Sequence, residues 1–132
     1  FLDGPVVRLP LGCAFGEGGT MRFVGYRILT GVLSTGVIGP EASISKLFWS
    51  EYHRSVTRLA IDVLGARAMV LEGRAPIRGY RADDPGAPNS TASWVGALYN
   101  GVADTIYAGT SEVQRNILAE RVLGLPRDPG TA

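Results

Sequence analysis

The stretch Pro40-Glu-Ala-Ser-Ile-Ser-Lys-Leu-Phe-Trp-Ser-Glu-Tyr-His-Arg-Ser-Val-Thr-Arg-Leu-Ala-Ile-Asp-Val-Leu64 decides the fold. Its apolar positions, Ile44, Leu47, Phe48, Tyr52, Val56, Leu59, Val63 and Leu64, recur at helical spacing and form a stripe held for about six turns. Pro40 suits a first helical position, where the missing N–H would have no helical partner, and Glu41 is favoured there by the helix dipole. Gly65 ends the run.

Working outward, Met21, Val24, Ile28 and Val32 share one helical face and predict a helix over about 21–34, ending near Gly36. Residues 1–20 hold Gly4, Pro5, Pro10, Gly12, Gly16, Gly18 and Gly19, which interrupt any period, so an irregular lead segment is expected there. Downstream, residues 73–92 are rich in Gly, Pro and Asp and read as a solvated connection. Trp94, Leu98, Val102 and Ile106 mark a third helix, with Ser93 available as its cap. Ser111 and Gln114 have capping-box spacing, and Val113, Ile117, Leu118 and Val122 give a fourth helix an apolar face up to Gly124 and Pro126. Residues 127–132 are expected to fray. Four amphipathic helices without alternating strands predict an all-α, up-and-down helical bundle, its domain at 21–126.

Composition narrows the function classes. At 132 residues the chain suits one domain, and 45% hydrophobic with 19% charged residues suits a packed one. A net charge of +1 is too small for the footprint of a nucleic-acid binder. No apolar run reaches the roughly 20 residues of a bilayer span. A single cysteine, Cys13, cannot close an internal disulfide, which favours a reducing compartment and a cytoplasmic setting. The chain begins at Phe1 rather than Met, as expected of a processed product or a portion of a longer polypeptide.

Few residues suggest chemistry by themselves. His53 is the only histidine, lies within the second helix and has no Cys or second His at ligand spacing, so it reads as structural and no metal is expected. Gly16-Glu17-Gly18-Gly19-Thr20 lacks the Lys of a phosphate loop and follows no strand. Asn89-Ser90-Thr91 reads as turn chemistry, and Trp49 and Trp94 as helix packing. The segment Thr105-Ile-Tyr-Ala-Gly-Thr-Ser-Glu-Val-Gln-Arg115 admits two readings. It is an ordinary capped helix start, or a start whose free N–H groups and dipole hold an anion such as a pyrophosphate beside the permissive Gly109.

Residues 105–127 resemble the final helix of the acyl-CoA dehydrogenase family, and the run Gly39 to His53 is similar to the start of that family's long C-terminal helix. The two motifs stand in the family's order, and the resemblance covers about residues 21–128. It implies the C-terminal helical domain of a flavoprotein that removes two hydrogens from the α and β carbons of an acyl-CoA thioester, in fatty-acid or related acyl catabolism. FAD is the implied cofactor, acyl-CoA the substrate and an electron-transfer flavoprotein the electron acceptor. By similarity Thr110, Ser111 and Glu112 lie where the family contacts FAD, and Gly109 lies beside the thioester.

The departures from the family also carry information. Ala108 occupies the position where many members carry the catalytic Glu, and a methyl group cannot accept a proton, so no catalytic residue is assigned in this chain. Asp62 stands where the family commonly has a Gln that approaches FAD, followed by Gly65 and Ala66 in place of a glycine pair. The resemblance further implies an N-terminal helical domain and a central β domain that 132 residues cannot hold, and a bundle lacking its first helix. An open apolar face then implies a homo- or hetero-oligomer. The alternative expectation is a non-catalytic helical module that completes a partner's FAD site.

Overall fold

The computed structural model describes residues 5–40, 42–72 and 91–127, and every regular element among them is helical. Helix α1 spans Pro5–Thr35, α2 Ala42–Leu64, α3 Thr91–Asp104 and α4 Ser111–Arg121, with a short 3-10 helix at Gly65–Met69 continuing α2. Helix α2 is central and packs against α1, α3 and α4. The expected all-α bundle is the observed one. Glu41, most of the 73–92 connection and residues 128–132 lie outside the described residues.

The irregular lead expected over 1–20 is instead helical from Pro5. Each interior glycine costs about 1 kcal/mol relative to alanine, and Pro10 removes one helical donor, but packing along α2 overrides both. The less exposed residues of α1 are Val7, Ala14, Gly18, Met21, Val24, Ile28, Gly31 and Val32. They extend the face that begins at Met21 back to Val7, about four turns, through Ala14 and Gly18, whose small side chains give the sequence little apolar signal. At Gly18 the small size is used: a Cβ there would stand 3.1 Å from the hydroxyl oxygen of Tyr52. Helix α1 ends at Gly36, whose φ of +73° is natural to glycine and whose N–H donates to Val32 O at 2.8 Å.

The deepest positions are not the apolar stripe of α2. Among the described residues the buried side chains are Ser50, Thr57, Ser93, Asp104, Ser111 and Gln114, and no apolar residue is buried. Ser50 and Thr57 lie two turns apart on α2, and their hydroxyls donate to Lys46 O at 3.0 Å and His53 O at 2.8 Å. A Cβ on Gly101 of α3 would meet Thr57 Oγ1 at 3.0 Å and the Arg54 Cα at 3.2 Å, so the two helices approach closely across small residues. Ser93 is thus a buried interior residue of α3, not its cap. The apolar side chains flank this seam half-exposed, and α1 carries Phe15 at 87% and Leu33 at 79% exposure.

Candidate functional site

The link between α3 and α4 is held by contacts from distant parts of the chain. Ala108 and Gly109 have φ of +55° and +92°, two left-handed residues in succession. For alanine this conformation costs roughly 1–2 kcal/mol, so the surroundings must hold it. Lys46 on α2 donates through Nζ to Asp104 O at 3.0 Å and to Gly109 O at 2.5 Å. Gln114 Nε2 donates to Ala108 O at 3.1 Å, and the Ser111 N–H donates to Thr105 O at 3.2 Å. A Cβ on Gly109 would stand 2.6 Å from Gln114 Nε2 and displace the end of that side chain, while the φ of +92° is itself natural only to glycine. The carboxylate of Asp104 is bonded to His53 Nδ1 through one oxygen and accepts the Tyr107 hydroxyl on the other. The His53 ring stacks on Trp49 with centroids 5.2 Å apart.

Helix α4 is capped by Thr110, not by Ser111 as the capping-box spacing suggested. Thr110 has extended backbone and its Oγ1 accepts from the Val113 N–H at 3.3 Å. Ser111, one place later, points its hydroxyl at α2 and donates to Glu51 Oε1 at 3.0 Å. Gln114 reaches back to Ala108 instead of to the cap. Arg115 sits 3.7 Å from the same Glu51 oxygen and 3.6 Å from Glu112 Oε1, both at distances of loose, solvent-screened pairing.

These bonds leave a defined remainder. Among the described residues, the backbone N–H groups of Ala108, Gly109, Thr110 and Glu112 have no hydrogen-bond acceptor, and the last three lie at the start of α4. Gly109 and Thr110 are half-buried and Glu112 is exposed, whereas Ser111 is buried and both its hydroxyl and its amide are already engaged. Three free amides at the positive end of a helix can hold a phosphate, a carboxylate or a polarised carbonyl oxygen. Ala108 is exposed beside them and brings no carboxylate.

Lys46, Glu51, Asp104 and Gln114 build this corner; the sequence singles out only Gln114 among them, as a capping-box residue and not for its bond to Ala108. A signal existed for two of them: Lys46 is the sole lysine of the chain, and Asp104 is the only charged residue of α3. Glu51 also lines a groove of about 410 Å³ between α1 and α2, with Glu17, Phe48, Tyr52, Arg54, Ser55 and Arg58. Asp62, Gly65 and Ala66 are exposed at the end of α2 that leads into the 3-10 helix. Among the described residues, no group of three or more His, Cys, Asp or Glu could hold a metal ion, and no helix is long and apolar enough to cross a membrane.

Residues 2–123 match the family described as "Acyl-CoA dehydrogenase, C-terminal domain". The match takes in the segment before Met21 that the resemblance had left unplaced. The chain is 32% identical over 132 residues to acyl-CoA dehydrogenase IpdE1 of Mycobacterium tuberculosis, covering 96% of this chain and 28% of that protein. It is 38% identical over 88 residues to the IpdE1 of Mycolicibacterium smegmatis, covering 67% of this chain and 19% of that protein. Among solved structures it is similar to the ChsE4-ChsE5 complex from Mycobacterium tuberculosis, with a TM-score of 0.70, 27% identity and coverage of 96% of this chain and 29% of that one. It is also similar to the Tcur3481-Tcur3483 steroid ACAD, with a TM-score of 0.69, 26% identity and coverage of 96% and 30%. The chain therefore spans less than a third of the length of these relatives.

Proposed function

The chain belongs to the acyl-CoA dehydrogenase family, as its C-terminal domain, and from that membership we propose that it is the C-terminal part of a flavin-dependent enzyme that desaturates acyl-CoA thioesters between the α and β carbons. FAD, when bound, supplies the acceptor for the β hydride, and an electron-transfer flavoprotein takes the electrons onward. The free amides of Gly109, Thr110 and Glu112 carry this reading, because they offer a polar, accessible edge of the kind that an anionic dinucleotide or a thioester carbonyl requires.

In this reading Thr110 caps α4 and presents its amide, Glu112 presents its amide with its side chain turned to solvent, and Ser111 anchors the edge to α2 through Glu51. Gly109 lies beside the thioester in this reading and offers it a free backbone N–H. No group at Ala108 can take the α proton, so that proton goes to a residue at another position. Likeness to a structure described as a steroid ACAD supports a bulky, ring-bearing acyl group, and the single cysteine supports work in the cytoplasm.

A second reading has one observation in its favour. With alanine at position 108, the chain suits a subunit that helps to hold FAD while a partner supplies the base, and the likeness to a complex of two named chains supports a hetero-oligomer. Visible spectroscopy of the full-length protein, alone and with its partner, tests both. Flavin bands that bleach on adding an acyl-CoA are expected for the full-length protein, and bleaching that needs the partner favours the second reading. Full-length protein that carries no flavin in either preparation contradicts both. The 132-residue chain by itself is expected to be colourless.

A further inference from the structure

We propose that Lys46 is the positioning residue of the Gly109–Glu112 edge: its ammonium, bridging the carbonyls of Asp104 and Gly109, fixes the direction in which the free amides point. The inference about the turn stands on the geometry, and its consequence for ligand binding rests on the flavin reading above. Local sequence does not account for the conformation. Ala108 is held left-handed at φ +55°, and the bonds made within the segment, from Ser111 N–H to Thr105 O and from Gln114 to Ala108 O, close the turn without tying it to the rest of the fold.

Beside the bond from Ser111 to Glu51, which holds the start of α4, Lys46 ties the turn itself, from 58 residues away to Asp104 and 63 residues away to Gly109. One cation on two carbonyls fixes the distance between the two ends of the turn, and charge-assisted bonds are stronger than neutral ones. Asp104 is anchored at the same point by its carboxylate, through His53 of α2 and Tyr107 of the turn. Among the described residues no carboxylate forms an ion pair with Lys46. Its charge therefore adds to the positive end of α4 and favours an anionic ligand at the edge.

Lys46→Met and Lys46→Arg in the full-length protein, read by amide hydrogen exchange and by FAD affinity, test this. For Lys46→Met we expect exchange at Tyr107 and Ser111 to quicken by about ten-fold or more, the loss of one charge-assisted hydrogen bond, with Leu59 and Ala60 in the middle of α2 unchanged. FAD affinity falls by a similar factor. Lys46→Arg, which keeps the charge and several N–H donors, is expected to keep both readouts nearer native than Lys46→Met does. Unchanged exchange at Tyr107 and Ser111, exchange that quickens equally in the middle of α2, or native FAD affinity in Lys46→Met would each overturn the assignment. If the native protein takes up no FAD, the flavin reading fails and the exchange pattern alone decides whether Lys46 sets the turn.

Discussion

Single residues at the α3–α4 corner act through partners far away in sequence. Asp104 is 6% exposed, and each carboxylate oxygen has its own partner, His53 or Tyr107. Asp104→Asn replaces one acceptor with a donor and sets an N–H against a group that needs an acceptor. We expect a loss of about 1–3 kcal/mol in urea unfolding, against no change for an exposed substitution such as Glu112→Gln. Gly101→Ala introduces a methyl at 3.0 Å from Thr57 Oγ1 and 3.2 Å from backbone, so the gain in helix propensity is overridden. The expected loss is about 1–3 kcal/mol, again by urea unfolding. The sequence shows that Gly109 stands at a permissive position and that Thr110 and Ser111 both suit a cap. It does not show which of the two caps, because Glu51, 60 residues away, takes the Ser111 hydroxyl and leaves Thr110 to do it.

Helix α2 was legible almost to its ends, since its contrast of apolar and polar positions persists along its whole length and glycine stops it. Its start at Ala42 rather than Pro40 is the small shift typical of helix boundaries. The front half of α1 was not legible, because its less exposed face is only Val7, Ala14 and Gly18 and its breakers are outweighed by packing on α2. That difference is open to test. Cβ atoms at Gly12 and Gly19 would meet nothing within 4 Å, so Gly12→Ala or Gly19→Ala should stabilise the protein by up to about 1 kcal/mol. Gly18→Ala should give none of this gain, because its methyl stands 3.1 Å from Tyr52. Thermal unfolding of the three variants reads the contrast, and equal stabilisation by all three would contradict the packing of α1 on α2.

At the scale of the molecule, a seam of hydroxyl residues, an acid and an amide is closed while the apolar side chains around it stay open. Phe15, Phe23, Leu29 and Leu33 on α1 are all more than half exposed. An apolar surface of this kind needs cover from other protein. We expect the 132-residue chain alone to bind a hydrophobic dye and to self-associate in light scattering. A dye-free monodisperse monomer would contradict that. The all-α class and the family could be read from two motifs, whereas the openness of the surface could not, because periodicity marks a face without saying what lies on it.

A structure of the full-length protein with FAD bound measures what matters most. If the α4 start holds the dinucleotide, a cofactor oxygen lies within about 3.2 Å of the backbone nitrogen of Gly109, Thr110 or Glu112. FAD bound elsewhere, with those three nitrogens facing water or other protein, would contradict it.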